Sequence, residues 1–312
     1  MKTLYIDCSM GAAGDMLTAA LAELTGDIKA AETELNALGI PGVEYKIEKT
    51  SKMGVTGTAV RVLVKGEEEV TRDVHGEGYD HEHDHEHGHH HHASMADIEA
   101  VIDGTKAPEK VKADAKNIYK IIAEAESKVH GEPVTEIHFH EVGAMDAVAD
   151  VTACCYLINR LGADRIAASP VRVGKGHVHC AHGILPVPAP ATANILMGIP
   201  TYAGELEGEM CTPTGAAVLK YFAKEFCEQP IMKAEAIGYG MGKKDFGQLN
   251  AVRAILGEEE GNTDKIVELT VNLDDMTPER IGFACDRFFE LGAVEVYTTS
   301  VHMKKFRLLH HR

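Results

Sequence analysis

The chain has 312 residues, enough for two domains, and 45% of them are hydrophobic, an ordinary share for a protein with a real core. Its formal net charge of −17 runs against nucleic acid as a partner, where a basic footprint is expected, and suits the gathering of cations. No apolar run approaches the roughly 20 residues of a membrane span, the N-terminus enters Leu4-Tyr5-Ile6 without a signal-peptide pattern, and seven cysteines without a Cys-x-x-Cys pair fit a reducing cytoplasm better than a disulfide scaffold.

Residues 3–7 read as a first strand. Cys8-Ser9-Met10-Gly11-Ala12-Ala13-Gly14-Asp15 leads from it into a helix with Met10, Gly14, Leu17, Leu21 and Leu24 along one side. Glycines at such a turn let backbone amides approach an anion, helped by the helix dipole. Gly11 and Gly14 are therefore candidates for holding a ligand, and Asp7, at the strand's end, for a metal or a hydroxyl. The competing reading gives both glycines only a packing role, and the spacing is not that of a dinucleotide fingerprint. Residues 43–50 and 55–64 alternate around Lys52-Met53-Gly54 as a hairpin, so the sheet is not purely parallel.

Residues 66–93 break the composition. Glu67-Glu68-Glu69 is followed by His75, His81, His83, His85, His87, His89, His90, His91 and His92, interleaved with Asp80, Glu82, Asp84 and Glu86. Nothing there can bury a core, so the stretch reads as a mobile insertion. Imidazole binds nickel, copper and zinc, which points to a metal store or entry funnel. The alternative, a purification tag, sits at a terminus in ordinary practice and lacks interleaved acids.

Ser94-Met95-Ala96-Asp97 resembles a capping start. From Pro108 a stronger helix carries Val111, Ala115, Ile118, Ile122, Ala125 and Val129 and stops at Gly131 and Pro133. Residues 137–141 then alternate as a half-buried strand, which puts His138 and His140 on one face. Past Gly143 a helix places Asp146 and Asp150 four apart near its N-terminal end. With Glu141, two imidazoles and two or three carboxylates meet at one strand-to-helix corner, a donor set suited to a divalent transition metal. A hydrogen-bonded polar corner is the competing reading.

Residues 165–173 read as a strand, and 174–183 bring a second pair, His177 and His179, with Cys180 and His182. If that strand lies beside the one carrying His138, four imidazoles face each other; otherwise this is a glycine-rich loop with incidental histidines. Pro186-Val187-Pro188-Ala189-Pro190 is a rigid turn into a helix at 191–197. Thr212 caps a helix with Pro213 at its first position, and the amides of Thr212, Thr214 and Gly215 suit a phosphate or carboxylate, although capping alone explains them. Gly238-Tyr239-Gly240-Met241-Gly242-Lys243-Lys244 fails as a P-loop on spacing and reads as a bent strand or hairpin with basic side chains. A strand at 266–273, a helix from Thr277-Pro278 to about residue 291 and a strand at 294–301 make a βαβ unit, too small to stand alone, while 304–312 show no packing pattern. The fold class is α+β: a mixed sheet with helices over 1–257, interrupted by the His-rich insertion, then an incomplete ferredoxin-like βαβ unit at 264–303 that begins a second, truncated domain.

Several stretches in this order resemble the LarC family of nickel-insertion proteins: Asp7-Cys8-Ser9-Met10-Gly11-Ala12-Ala13-Gly14-Asp15-Met16, the His-rich loop, Phe139-His140-Glu141-Val142-Gly143, Cys211-Thr212-Pro213-Thr214-Gly215 and Val271-Asn272-Leu273-Asp274-Asp275-Met276. The resemblance covers nearly the whole chain. It implies insertion of Ni²⁺ into a pyridinium-bisthiocarboxylate mononucleotide to complete the nickel-pincer cofactor of lactate racemase, with CTP cleaved to CMP and pyrophosphate and help from Mg²⁺ or Mn²⁺. The resemblance also implies that the CTP site lies in a further C-terminal domain, so no residue of this chain is assigned to CTP, and a separate polypeptide is one source of that domain.

The resemblance does not fix the nickel ligands. The physical argument gives His81, His83, His85, His87, His89, His90, His91 and His92 to metal collection and His138, His140, His177 and His179 to the site that receives it. Glu141 or Asp146 takes the ring proton. Asp7, Gly11, Gly14, Thr212, Thr214 and Gly215 hold the substrate's polar groups. A homo-oligomer is expected. Two other readings stand beside this one: a nickel store or metallochaperone without chemistry, and a zinc-dependent hydrolase of the amidohydrolase type, whose barrel needs eight βα units.

Overall fold

A computed structural model describes residues 1–68, 93–139, 143–180, 183–259, 267–273, 275–302 and 308–311. Two units separate by contact, Met1–Glu260 and Gly261–Arg312. The first is organised by an eight-stranded mixed sheet in the order Glu225–Phe226, Arg165–Ala168, Lys2–Asp7, Ala251–Glu259, Met232–Met241, Val55–Val64 and Val43–Lys52, with Glu67–Glu68 pairing Val55–Val64 off this path. Lys2–Asp7 runs parallel to Arg165–Ala168 and antiparallel to Ala251–Glu259. The hairpin of Val43–Lys52 and Val55–Val64 is antiparallel, with Lys52 opposite Val55.

Helices α1 (Gly14–Leu24), α2 (Ile28–Ala37), α3 (Met95–Gly104), α4 (Glu109–His130), α5 (Met145–Leu161), α6 (Pro190–Ile195) and α7 (Pro213–Phe222) complete this unit. The glycines of strand Met232–Met241 let α1 lie directly on it. A Cβ on Gly240 would fall 1.8 Å from the Met16 carbonyl oxygen, and one on Gly238 would fall 2.2 Å from that of Ala20. This close approach accounts for the glycine run whose spacing fails the phosphate-loop pattern. Helix α5 packs on α1, and α4 on α5. Leu17, Leu21, Ile118, Ile122, Val148, Val151 and Cys155 are buried in the core between them, each aliphatic side chain there stabilising the fold by about 1.5–3 kcal/mol.

One strand expected from the sequence changes. The strand expected at 165–173 is two pieces, Arg165–Ala168 and Val171–Arg172, and the second leaves the main sheet to pair with Thr201–Tyr202; the break falls at Pro170, which has no N–H for a ladder. The strand around His138 is described over His138–Phe139, paired antiparallel with Ala93–Ser94, and Ile137 and Phe139 are buried as the alternation requires; residues 140 and 141 lie outside the described residues. The sheet path has two ends and is not the closed barrel that a hydrolase of the amidohydrolase type needs. Among the described residues no helix is long and apolar enough to cross a membrane.

In the second unit, strand Asn272–Leu273, helix α8 (Pro278–Glu290) and strand Thr299–His302 are followed by Leu308–His311. The last strand lies between the other two and is antiparallel to both. The arrangement is thus a split βαβ with its intervening strand. The tail, which shows no packing pattern in sequence, fills the gap because its backbone supplies both neighbours with hydrogen-bonding partners.

Candidate functional site

The first turns of α1 and α5 meet. A Cβ on Gly14 would fall 2.7 Å from both Cβ and Oδ2 of Asp150, so glycine is what admits the carboxylate there. The contact is extended by Cys154, whose Sγ lies 3.7 Å from the Gly14 carbonyl oxygen and 3.3 Å from Thr18 Oγ1. Neither helix has a side-chain N-cap, Ala13 and Ala144 holding those positions. An aspartate in each first turn takes one end amide instead: Asp15 Oδ1 accepts from the Met16 N–H at 2.7 Å, and Asp146 Oδ1 from the Ala147 N–H at 2.7 Å. Negative charge at a helix N-terminus is favourable.

Asp150 is less well served, because its Oδ1 is buried and accepts no hydrogen bond. Burial raises its pKa well above the ordinary carboxylate range, and the charges of Asp15 and Asp146 add to that while Lys243 opposes it. Asp15 is raised too, again first by burial, with Lys243 offsetting part of the effect. Partial burial of Lys243 favours its neutral form, but the hydrogen bond to Glu68 and the charges of Asp15, Glu68 and Asp150 outweigh this and raise its pKa. Lys243 Nζ stands 2.6 Å from Glu68 Oε1. The sequence places Asp146 and Asp150 at this corner but assigns no site role to Asp15 or Lys243. The four-residue spacing of Asp146 and Asp150 was the one available signal.

The N-terminus of α7 closes the same region. The Ala12 N–H donates to the Met210 carbonyl at 2.9 Å, and the Thr212 N–H to the Ala12 carbonyl at 3.0 Å. Gly11 has φ +87°, and a Cβ there would come 1.9 Å from the Met210 carbonyl oxygen; its N–H donates to Cys8 at 2.9 Å. The amides of Gly11 and Ala12 are therefore already committed to the protein. Thr212 Oγ1 accepts from the Gly215 N–H at 3.2 Å and lies 3.0 Å from Thr214 Oγ1, the capping arrangement. Asp7 is engaged on both oxygens, with Oδ2 at 2.6 Å from Arg253 Nη2 and Oδ1 accepting from the Ser9 N–H at 3.0 Å.

His81, His83, His85, His87, His89, His90, His91, His92, His140 and Glu141 lie outside the described residues, as do the side chains of His138 and His179. His177 is exposed on a hairpin, opposite Pro186, with His179 opposite Ile184. The strands bearing His138 and His177 belong to different two-stranded sheets. Among the described residues no three His, Cys, Asp or Glu side chains are grouped to hold a metal ion. The flanks of the His-rich stretch are described, Glu68 on one side and Ala93 on the other. Glu68, on the N-terminal side, pairs with Lys243. Ala93, on the other, pairs with Phe139 and lies 3.2 Å from where a Cβ on Gly143 would be, three residues before Asp146.

Carboxylates thus sit at two neighbouring helix N-termini, and the class of the protein comes from its relatives. The chain matches the family described as nickel insertion protein over residues 4–311, and it belongs to that family. It is 43% identical over 315 residues to the pyridinium-3,5-bisthiocarboxylic acid mononucleotide nickel insertion protein of Clostridium kluyveri, covering 98% of this chain and 75% of that one. It is 44% identical over 322 residues to the protein of the same name in Clostridium acetobutylicum (98% and 76% covered), and 39% identical over 309 residues to a putative nickel insertion protein of Dictyoglomus thermophilum (98% and 74%). No solved structure matches the chain.

Proposed function

We propose that this chain inserts Ni²⁺ into pyridinium-3,5-bisthiocarboxylic acid mononucleotide, the step that completes the nickel-pincer cofactor of lactate racemase. The observation that carries the reading is similarity along 98% of the chain to relatives named for that insertion. Nickel is cargo here. It is gathered by the histidines of residues 75–92 and handed to the corner of His138 and His140, shared with His177 and His179. As the metal bonds to the ring carbon, the C–H bond breaks and its proton leaves. Glu141 or Asp146 accepts it, with Asp15 and Asp150 behind Asp146 as carboxyls that hold protons readily. Asp7, Gly11, Gly14, Thr212, Thr214 and Gly215 shape the floor on which the mononucleotide lies.

CTP with Mg²⁺ or Mn²⁺ supplies phosphoanhydride cleavage on this reading; no residue of this chain is assigned to them, and a C-terminal domain, on a separate polypeptide where necessary, holds them. The setting is the cytoplasm, and the working unit a homo-oligomer. The test is nickel titration with metal analysis on three proteins: the intact chain, the chain lacking residues 75–92, and that deletion with His138→Ala and His140→Ala. The reading expects the deletion to lose most bound nickel but keep one tight site, which the double substitution then removes. A store without chemistry loses nearly all nickel on the deletion alone.

A further inference from the structure

Among the described residues Arg172 has no carboxylate partner, in a chain of net charge −17. Other arginines of this unit are paired: Arg253 with Asp7 at 2.6 Å, Arg160 with Glu34 at 2.6 Å, and Arg165 with Glu225 and Glu259, both at 2.6 Å. Arg172 is half-buried, its Nε is buried without a hydrogen bond, and its described polar contact is Nη1 at 3.5 Å from Met10 Sδ. Removing a guanidinium from water without an anion is costly, so the position is intelligible when an anion comes from outside the chain.

The surroundings fit that visitor. The Arg172 N–H donates to the Cys8 carbonyl at 3.2 Å, which fixes the strand beside the turn leading into α1. On the far side the chain presses against the guanidinium: a Cβ on Gly204 would fall 2.3 Å from Nε. Ser9 and Gly204 are exposed, and so is Tyr202, whose hydroxyl donates to the Ser9 carbonyl at 3.4 Å. The nearby amides of Gly11 and Ala12 are spent within the protein, which leaves the guanidinium to bind.

We propose that Arg172 anchors the phosphate of the mononucleotide, beside Ser9, Met10, Tyr202 and Gly204. The planar fork of a guanidinium matches phosphate bidentately, whereas the substrate's thiocarboxylates must stay free for nickel. This rests on the nickel-insertion reading for the identity of the ligand.

The test measures binding apart from turnover. Equilibrium dialysis compares the metal-free mononucleotide with its dephosphorylated nucleoside, on wild type, Arg172→Gln and Arg172→Lys. A charge-assisted bidentate contact predicts about 10–100-fold weaker mononucleotide binding for Arg172→Gln, a smaller loss for Arg172→Lys, and unchanged nucleoside binding. Inorganic phosphate should displace the mononucleotide from wild type and leave the nucleoside in place. Where a melt shows Arg172→Gln unfolded, Arg172→Lys and the phosphate competition decide. Equal binding of both ligands by wild type, or full discrimination retained by the variants, overturns the anchor and leaves nickel insertion standing. Phosphate-dependent binding without insertion overturns the reaction and leaves the anchor. Failure of wild type to bind either ligand overturns both.

Discussion

Replacing Asp150 with asparagine should stabilise the fold at pH 8 and do progressively less as the pH falls toward 4. The carboxylate is pressed against Gly14, its Oδ1 is buried without a donor, and burial holds its pKa well above the usual range, with Asp15 and Asp146 adding to the effect. A carboxyl of this kind keeps its proton in the folded protein over a pH range in which the unfolded chain, with a pKa near 3.9, has already lost it. The unfolded state then binds fewer protons, so stability falls as pH rises from about 4 toward the folded pKa. Asparagine keeps the shape and carries no such penalty. Each pH unit between the unfolded and the folded pKa costs about 1.4 kcal/mol, and 1 kcal/mol moves Tm by about 2–4 °C in a domain of this size. The variant should therefore melt above wild type at pH 8 by roughly 3–5 °C for each such unit, read by circular dichroism. If Asp150→Asn instead melts below wild type by the same margin at pH 5 and pH 8, the carboxylate is a satisfied charge with Lys243 as its partner, and the desolvation argument fails.

Three further outcomes follow from the same contacts. Gly11→Ala puts a methyl 1.9 Å from the Met210 carbonyl oxygen at φ +87°; overpacking and the left-handed backbone together should cost roughly 2–5 kcal/mol, and a urea midpoint showing less than about 1 kcal/mol would contradict the close approach. Thr212→Ala removes the acceptor for the Gly215 N–H and should cost about 1 kcal/mol, recovered by Thr212→Ser; a serine variant no better than alanine would rule out capping as the reason for the threonine. Cys8, Cys154, Cys155 and Cys211 are buried and burial pushes their thiols up, so iodoacetamide at pH 8 should label Cys227 and Cys285 before these four; mass spectrometry finding Cys8 or Cys211 modified as fast as Cys227 would refute the burial.

What could be read ahead of the coordinates was local. The reciprocal hydrogen bonds of Ser94 and Asp97, the Thr212-Pro213 start of α7 and the four-residue spacing of Asp146 and Asp150 all lie within one helical turn, where spacing implies proximity. Helix α2 had a comparable signal, Asp27 accepting from the amides of Lys29 and Ala30. It went unread because only Ala31 and Leu35 are buried along its length, too thin a stripe to show a period. Long-range partners were not legible. Nothing in the sequence says that Gly14 faces Asp150, that Lys243 answers Glu68, or that Arg172 meets no carboxylate among the described residues. The glycines at 238–242 look like a ligand loop until α1 is placed upon them. Leu308–His311 shows no alternation because an inserted strand is specified by its neighbours' open backbone as much as by its own side chains. Composition gave the donor chemistry of the histidines, while their geometry depends on tertiary arrangement.

The cysteines bear on how nickel would leave this protein. Cys154 Sγ touches Gly14, Cys211 bridges to Ala12 through its backbone, and the Cys8 carbonyl accepts from the N–H groups of both Gly11 and Arg172, so three cysteines flank the turn into α1. Thiolate is the form that binds soft and borderline metals, and burial keeps these three as thiols. On the nickel-insertion reading, with these three cysteines held as thiols, the metal rests on imidazole nitrogen and carboxylate oxygen, and the two sulfurs of the substrate are softer donors than either. Transfer from weaker N and O donors to sulfur and carbon runs downhill without the protein competing for the product. A surface thiolate at the same turn would reverse that order, holding nickel where it should be released.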